Sequence, residues 1–206
     1  KGHRSALARA KKRGIVFLST PFDEESADFL ARLGVPAFKI PSGELTNHPL
    51  LKHVARKRKP VILSTGMSTL AEVREAVAVL RKARARKLTL LHCVSSYPAD
   101  PKDANLRAMK TMADAFKTPV GWSDHTPGSV AAIAATALGA AVIEKHFTLD
   151  KRLPGPDHAM SLDPKELKAF VAALREAALA LGDGIKAPRP CEAPIRLIAR
   201  RSLVLK

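Results

Sequence analysis

The chain has 206 residues, 46% of them hydrophobic, which is enough apolar material for one globular domain. This composition excludes an intrinsically disordered chain, because so apolar a sequence buries enough surface to offset the entropy lost on ordering. No segment has the ~18 consecutive apolar residues of a membrane span, and no apolar segment with a cleavage site follows the basic residues 1–13, so we expect no signal peptide there. Cys93 and Cys191 fit no metal or redox spacing, so we expect a soluble, reduced, cytoplasmic protein.

The chain is strongly basic. It has 35 Lys and Arg residues against 19 Asp and Glu, a formal charge of +16. Two classes of protein fit this charge: a nucleic-acid-binding protein, or an enzyme for anionic substrates. The basic runs 52–59, 81–87 and 195–201 contain no aromatic residue on which a base could stack. The first two runs also lie where helices are expected to end, so a solvated helix face is favoured over a nucleic-acid site.

Short apolar runs alternate with helical patterns along the whole chain. The runs are too short for helices, and most are apolar at every position, which is typical of parallel strands covered on both faces. Strict alternation of strand and helix predicts a parallel sheet with right-handed crossovers. The six predicted strands are Ile15–Ser19, Ala37–Ile40, Val61–Ser64, Leu88–Cys93, Val120–Trp122 and Ala141–Lys145.

Helix boundaries are marked by capping residues. Thr69 with Glu72, and Asp163 with Glu166, have the spacing of capping boxes, and Gly34 is suited to the position after a helix. The predicted helices are Asp23–Leu33, Thr69 to about Ala85, Asn105–Phe116, Ser129–Leu138 and Asp163 to about Leu181.

Polar residues at the strand ends separate two possible architectures. An open doubly wound sheet concentrates its site at one switch point, whereas a barrel draws on every strand end. All six predicted strands end in reactive or phosphate-binding side chains. The pattern therefore favours a TIM-type (β/α)8 barrel with six of its β/α units in this chain.

His125 and His146 follow two neighbouring strands. Adjacent strands lie about 4.8 Å apart, so both imidazoles can reach one ion at the barrel mouth. Two histidines with open coordination positions suit a divalent metal that polarises a carbonyl oxygen. A structural histidine with satisfied hydrogen bonds is the alternative for either residue.

A second set of strand-end residues combines a cation with hydroxyl groups. Such a set suits a phosphate or a phosphorylated carboxylic acid, although each hydroxyl alone is most often a loop cap. Carboxylates on the same rim are suited to holding a polyol or moving a proton, and Tyr97 could donate a hydrogen bond. The cation and hydroxyls are Lys39, Ser42, Ser64, Thr65 and Ser123, and the carboxylates are Glu44, Asp124 and Asp157.

Seven ordered segments resemble the sialic acid synthase family, which makes N-acetylneuraminic, legionaminic and pseudaminic acids and has a spore-coat polysaccharide branch. The resemblance covers essentially the whole chain. The segments are FLSTPFD (17–23), FKIPSGELTN (38–47), ILSTGMS (62–68), LLHCVSSYP (90–98), GWSDHTPG (121–128), IEKHFTLD (143–150) and LPGPDHAMS (153–161).

The resemblance implies a transferase with a (β/α)8 barrel followed by a small antifreeze-like domain, acting as a homodimer. The family condenses phosphoenolpyruvate with an open-chain N-acylated hexosamine, such as N-acetylmannosamine or a diacetamido-dideoxy relative. The enol carbon attacks the sugar aldehyde, water adds, and the adduct releases phosphate by C–O cleavage. These steps agree with the metal and phosphate groups inferred from the residues.

The resemblance also implies individual roles. His125 and His146 match the ligands of Mn²⁺ or Mg²⁺, and with Glu44 they form the predicted catalytic set. Glu44, Tyr97 and Asp157 match sugar-binding positions. Where some members carry Asn after the His-Cys pair, this chain has the residues 94–96 (VSS), and Ser95 is counted with the substrate-binding residues. The positions matching phosphoenolpyruvate contacts are Thr20, Lys39, Ser42, Ser64 and Ser123.

Two parts of the family pattern have no counterpart in this sequence: the first two strands and the antifreeze-like domain. Residues 1–190 are therefore predicted to be an N-terminally truncated barrel, and residues 191–206 a linker toward the absent domain. On this basis we expect little synthase activity from the chain by itself. The alternatives are a catalytically silent module for phosphate binding or assembly, and another aldol-type synthase that uses phosphoenolpyruvate.

Overall fold

A computed structural model of the chain describes residues 2–201. The strands are β1 (Phe38–Ile40), β2 (Val61–Ser64), β3 (Leu88–Cys93), β4 (Val120–Asp124) and β5 (Ile143–Lys145). The helices are α1 (Gly2–Lys12), α2 (Glu24–Leu33), α3 (His48–Arg56), α4 (Leu70–Lys82), α5 (Ala108–Phe116), α6 (Val130–Ala137), α7 (Pro164–Leu181) and α8 (Ala193–Ala199).

The five strands form one parallel sheet in sequence order, β1-β2-β3-β4-β5, as the alternation of strand and helix predicts. The prediction of a sixth strand at Ile15–Ser19 is wrong. This segment forms no ladder with β1, and the side chains of Ile15 and Val16 are 65% and 71% exposed. Apolar composition marks segments able to form a strand, but a strand also needs a partner that offers a ladder of hydrogen bonds.

The sheet is strongly curved. Lys39 on β1 and Glu144 on β5 belong to opposite edges of the sheet, yet Lys39 Nζ lies 3.5 Å from Glu144 Oε2. Four strand spacings would separate these strands by about 19 Å in a flat sheet, farther than the two side chains together can span. The inner face therefore curls around an enclosed space, as in part of a barrel.

The hydrophobic core lies between the outer face of the sheet and the surrounding helices. Because side chains alternate along a strand, Phe38 and Ile40 enter this core while Lys39 between them faces inward. Trp122 on β4 is fully buried in the same cluster, together with Leu51 of α3. The core fixes which residues of each strand are left for the concave side.

The capping signals locate the helix ends. Thr69 with Glu72 and Asp163 with Glu166 form both hydrogen bonds of a capping box, and Gly34 ends α2 in the left-handed conformation at φ 86°. The prediction that a helix begins at Asn105 is wrong, because α5 begins at Ala108. Asn105 has φ 42°, which is outside the helical range.

Residues 181–201 are all exposed, and α8 lies within the segment 191–206 that the sequence predicts to be a linker. The division into a barrel and a linker stays a prediction, and residues 202–206 lie outside the described part. None of the helices between residues 2 and 201 combines the length and apolar character that a membrane span requires.

Gly121 allows β4 and β5 to approach closely, and replacing it with Ala is expected to destabilise the protein. A Cβ atom there would lie 2.2 Å from the Val142 carbonyl oxygen, which accepts a hydrogen bond from Trp122 N. We expect Gly121→Ala to lower the free energy of unfolding by about 2 kcal/mol or more in urea titrations. Gly43→Ala, whose Cβ meets no atom within 4 Å, is the control, and equal losses in both variants would contradict the prediction.

Candidate active site

A cavity of about 520 Å³ opens at the carboxyl ends of the strands, on the concave side of the sheet. The carboxyl ends of parallel strands all lie at the same end of the sheet, and a barrel has its active site at that end. The structure brings nine of the eleven predicted site residues to this cavity: Thr20, Lys39, Ser42, Ser64, Ser95, Tyr97, Ser123, His125 and His146.

Ser64 is the clearest sign of a ligand-binding surface. Ser64 is only 3% exposed, and its hydroxyl oxygen has no hydrogen-bond partner among the described residues. Buried hydroxyl groups are normally satisfied, so an unsatisfied one that lines a cavity is placed to bind a ligand or a water molecule.

Lys39 faces the same cavity as part of a charged cluster. Its side chain is 13% exposed and forms the ion pair with Glu144, while Glu144 Oε1 accepts a hydrogen bond from the Ser123 hydroxyl at 2.7 Å. One buried cation is thus balanced by one carboxylate. An incoming anion would compete with Glu144 for this cation, so the pair is suited to reversible anion binding.

Glu144 lines the cavity, although it was not among the predicted site residues. The period-two alternation of a strand could have identified it, since Glu144 and His146 share one face and Lys145 faces the other. Cys93 was missed for the same reason: it shares a face with Ser95 and is buried beside His125, with 3.9 Å between Cys93 Sγ and His125 Nδ1.

His125 and His146 lie side by side, as predicted, with ring centroids 5.4 Å apart. A metal–nitrogen bond of roughly 2.1 Å allows two rings on one ion to have centroids up to about 6.5 Å apart. His125 Nδ1 lies 2.7 Å from the Val94 carbonyl oxygen, which can only accept a hydrogen bond. Nδ1 therefore carries the proton, and Nε2 of His125 keeps a free lone pair.

The environments of the two histidines shift their pKa values in opposite directions. Burial lowers the pKa of His125, but the contacts with Cys93 and the Val94 carbonyl outweigh burial and raise it overall. Burial and the neighbouring charge of His125 lower the pKa of His146. For Cys93, burial raises the pKa, but the contacts with His125, Ser42 and Ser95 lower it overall. The lowered pKa favours the neutral form of His146, and His125 would likewise bind an ion only in its neutral form, through Nε2.

His125 and His146 suit a catalytic metal ion that keeps most of its coordination positions for water and substrate. No group of three or more His, Cys, Asp or Glu residues that could hold an ion is present in residues 2–201. Within these described residues, His125 and His146 are the pair placed to supply protein ligands. A second carboxylate lies nearby, since His146 Nδ1 is 3.8 Å from Asp157 Oδ2. Asp157 is thus beside the pair rather than in the cavity wall.

Tyr97 packs against both imidazoles. Its ring centroid lies 4.2 Å from that of His125 and 5.7 Å from that of His146. Burial, with the nearby Cys93, Asp157 and Glu144, raises the pKa of Tyr97. The phenol therefore stays protonated at neutral pH and is available as a hydrogen-bond donor.

Besides Asp157, three further predicted rim residues lie outside the cavity wall. Glu44 is outside the cavity wall and accepts a hydrogen bond from Asn47, the residue that caps α3, so its catalytic role stays a prediction. Thr65 donates its hydroxyl to the Leu91 carbonyl at 3.0 Å, as a structural bond. Asp124 faces away from the rim and is fully buried in an ion pair with Lys145.

Comparison with known proteins assigns this chain to a family. A sequence model of the NeuB family matches residues 1–186. The chain belongs to the NeuB family. It is 53% identical over 208 residues to the N,N'-diacetyllegionaminic acid synthase of Campylobacter jejuni, covering 100% of this chain and 62% of that protein. The chain therefore spans about three fifths of the length of this relative.

One solved structure agrees with the NeuB assignment, and a second, more distant one agrees with the fold. The N-acetylneuraminic acid synthetase of Leptospira borgpetersenii superposes with a TM-score of 0.87 at 37% identity, over 97% of this chain and 70% of that one. A truncated 3-deoxy-D-arabino-heptulosonate 7-phosphate synthase from Thermotoga maritima has a TM-score of 0.76 at 19% identity, over 88% of this chain and 72% of that one. The curved five-stranded sheet is thus similar to part of a TIM-type barrel.

Gly66 keeps the hydroxyl groups of the cavity in place, and we expect Gly66→Ala to weaken anion binding. A Cβ atom there would lie 2.3 Å from Ser95 Oγ and 2.9 Å from Ser42 Oγ, so both hydroxyls must move. Gly66 N also donates to Ser42 Oγ at 2.9 Å. Titration calorimetry with inorganic phosphate should show about tenfold weaker binding. Gly43→Ala adds a methyl group to the same cavity without a clash, and a similar loss there would refute the prediction.

Proposed function

We propose that this chain carries the phosphoenolpyruvate and metal sites of a nonulosonic acid synthase, which condenses phosphoenolpyruvate with an N-acylated hexosamine and releases phosphate. The observation that carries the proposal is one cavity that joins Lys39 and its serines to the His125–His146 pair. The activities in the names of the NeuB relatives support it. They favour a synthase over a silent phosphate-binding module.

Lys39 and the serines would bind phosphoenolpyruvate. The Lys39 ammonium group would form an ion pair with the phosphate or carboxylate. The Ser64 hydroxyl, which has no hydrogen-bond partner among the described residues, would gain a partner in the ligand. Ser123, released from Glu144, can donate a further hydrogen bond. Donors fixed by a β-sheet need little reorganisation as charge develops, which is the main source of electrostatic stabilisation in such reactions.

His125 and His146 would hold Mn²⁺ or Mg²⁺ beside the bound phosphoenolpyruvate. A divalent ion bound there supplies Lewis-acid activation of the sugar aldehyde. The Val94 carbonyl fixes the tautomer of His125, and the Asp157 carboxylate lies on the Nδ1 side of His146. The hydrogen bond to Val94 sets the direction in which the His125 ring presents its lone pair, and Asp157 is close enough to interact electrostatically with His146.

The acceptor sugar would lie on the outer side of the cavity. Tyr97 is 52% exposed and Asp157 is next to His146, so both can reach hydroxyl or amide groups of an N-acylated hexosamine. Glu44 belongs to this proposal through the family resemblance alone. A (β/α)8 barrel to which this sheet contributes, a homodimer and a cytoplasmic location are further parts of the proposal.

The anion site is tested by removing its cation. Lys39→Met should weaken phosphoenolpyruvate binding about 10- to 100-fold in titration calorimetry, because a charge-assisted hydrogen bond in a buried site is lost. Binding by this chain is the appropriate measurement, since the chain spans three fifths of its synthase relative. Lys165→Met, on the exposed first turn of α7, is the control. Equal losses in the two variants would mean that overall charge, not this site, binds the anion.

The metal site is tested by removing one ligand. We expect His146→Ala to reduce Mn²⁺ affinity at least tenfold, measured by electron paramagnetic resonance of free Mn²⁺, because one remaining imidazole binds the ion weakly. His53→Ala changes a histidine on α3 that pairs with Asp28, outside the cavity, and should bind Mn²⁺ as the unmodified chain does. Unchanged affinity in His146→Ala would contradict a shared site.

A further inference from the structure

A buried ion pair is formed by the residues that directly precede the two histidines, on the opposite face of the sheet, and the proposed chemistry does not use it. Lys145 Nζ is 2.8 Å from Asp124 Oδ2, and the two side chains are 4% and 0% exposed. Asp124 and Lys145 are partners in the last register position between β4 and β5. The next residue along each strand is a histidine, His125 after Asp124 and His146 after Lys145.

Thr126 ties the other side of His125 to the same pair. Asp124 Oδ1 accepts hydrogen bonds from the Thr126 backbone N–H at 2.9 Å and from its hydroxyl at 2.7 Å. Lys145 Nζ in turn donates to the Thr126 carbonyl oxygen. His125 is therefore held between two residues that both contact Lys145, and Lys145 is bonded covalently to His146.

Packing alone does not require this ion pair. The other outward residues of β4, Val120 and Trp122, are apolar and buried, so an apolar pair at the same level would continue the core. Burying two charges costs desolvation energy, and such a pair contributes little net stability compared with apolar residues of similar volume. An ion pair with hydrogen bonds differs from an apolar contact in fixing one geometry, and that difference is useful beside a site.

We propose that Asp124 and Lys145 are positioning residues that lock the ends of β4 and β5 together and thereby hold His125 and His146 at the separation one ion requires. This inference rests on the proposed metal site. The Lys145 ammonium group also lies 5.9 Å from the centroid of the Phe170 ring, so α7 supports the pair from outside the sheet.

The first measurement needs no metal. The Nδ1 proton of His125, hydrogen-bonded to the Val94 carbonyl, should give a downfield imidazole signal in NMR that is absent in His125→Gln. We expect this signal to disappear or move upfield in the double variant Asp124→Leu/Lys145→Met. It should remain in Lys145→Arg, which keeps a cation for Asp124.

The second measurement is the affinity for Mn²⁺ alone. The double variant Asp124→Leu/Lys145→Met should bind Mn²⁺ about 10- to 100-fold more weakly, which is the usual effect of losing a group that orients a metal ligand. The matched control is Asp28→Asn/Lys57→Met, which removes an ion pair between α2 and the end of α3, away from the cavity. It should leave both the imidazole signal and the Mn²⁺ affinity unchanged.

Circular dichroism establishes whether the double variant is folded. If it is unfolded, Thr126→Val takes its place as the deciding variant, because this substitution removes only one hydrogen bond to Asp124. In Thr126→Val we expect an upfield-shifted His125 signal and about threefold to fivefold weaker Mn²⁺ binding. The inference is overturned if the deciding variant keeps the signal and the affinity of the unmodified chain, or if the unmodified chain lacks the signal. Absence of Mn²⁺ binding in the unmodified chain would instead refute the proposed metal site, and the imidazole signal would still test the positioning role.

Discussion

The ion pair between Lys39 and Glu144 joins the first and last strands of the sheet across its concave side. The contact is possible only because the sheet curls, and the same curvature brings Ser64, Ser123 and His125 into one cavity. Without it, the polar strand ends would form a row instead of facing one another. The cavity is therefore a consequence of sheet geometry rather than of any one loop.

Alternation along the strands divides the polar residues between two tasks. On β4 and β5, Ser123, His125, Glu144 and His146 face the cavity, whereas Asp124 and Lys145 face the helices. The inward groups are arranged for ligands. The outward groups are fully partnered within the protein. This division explains how two ion pairs that meet on β5 differ in role: Glu144 faces the cavity, where an incoming anion can reach its partner Lys39, whereas Lys145 pairs with Asp124 on the closed, helix-covered face.

Much of this arrangement could be predicted from the sequence, because local rules carry it. Capping boxes located α4 and α7, and apolar runs located β2 and β3 at the observed residues. Residues at strand ends were correctly expected to converge, since parallel strands end on one side of a sheet.

The errors concern features that depend on partners. Ile15–Ser19 has the composition of a strand but no ladder in the described part, and no local pattern shows whether a ladder exists. Asp124 was assigned to the rim with the other carboxylates, although its position next to His125 in a strand places it on the opposite face. Glu144 was overlooked for the same reason. Counting alternate residues back from each histidine would have corrected both assignments.

The most direct test of this account is a crystal structure of the chain with phosphoenolpyruvate and Mn²⁺. We predict one ion bound by His125 and His146, and a phosphate or carboxylate oxygen of phosphoenolpyruvate within hydrogen-bond distance of Lys39 Nζ and Ser64 Oγ. Phosphoenolpyruvate bound outside this cavity, with the Lys39–Glu144 ion pair intact, would contradict it. So would Mn²⁺ bound by other residues while the two imidazoles remain free.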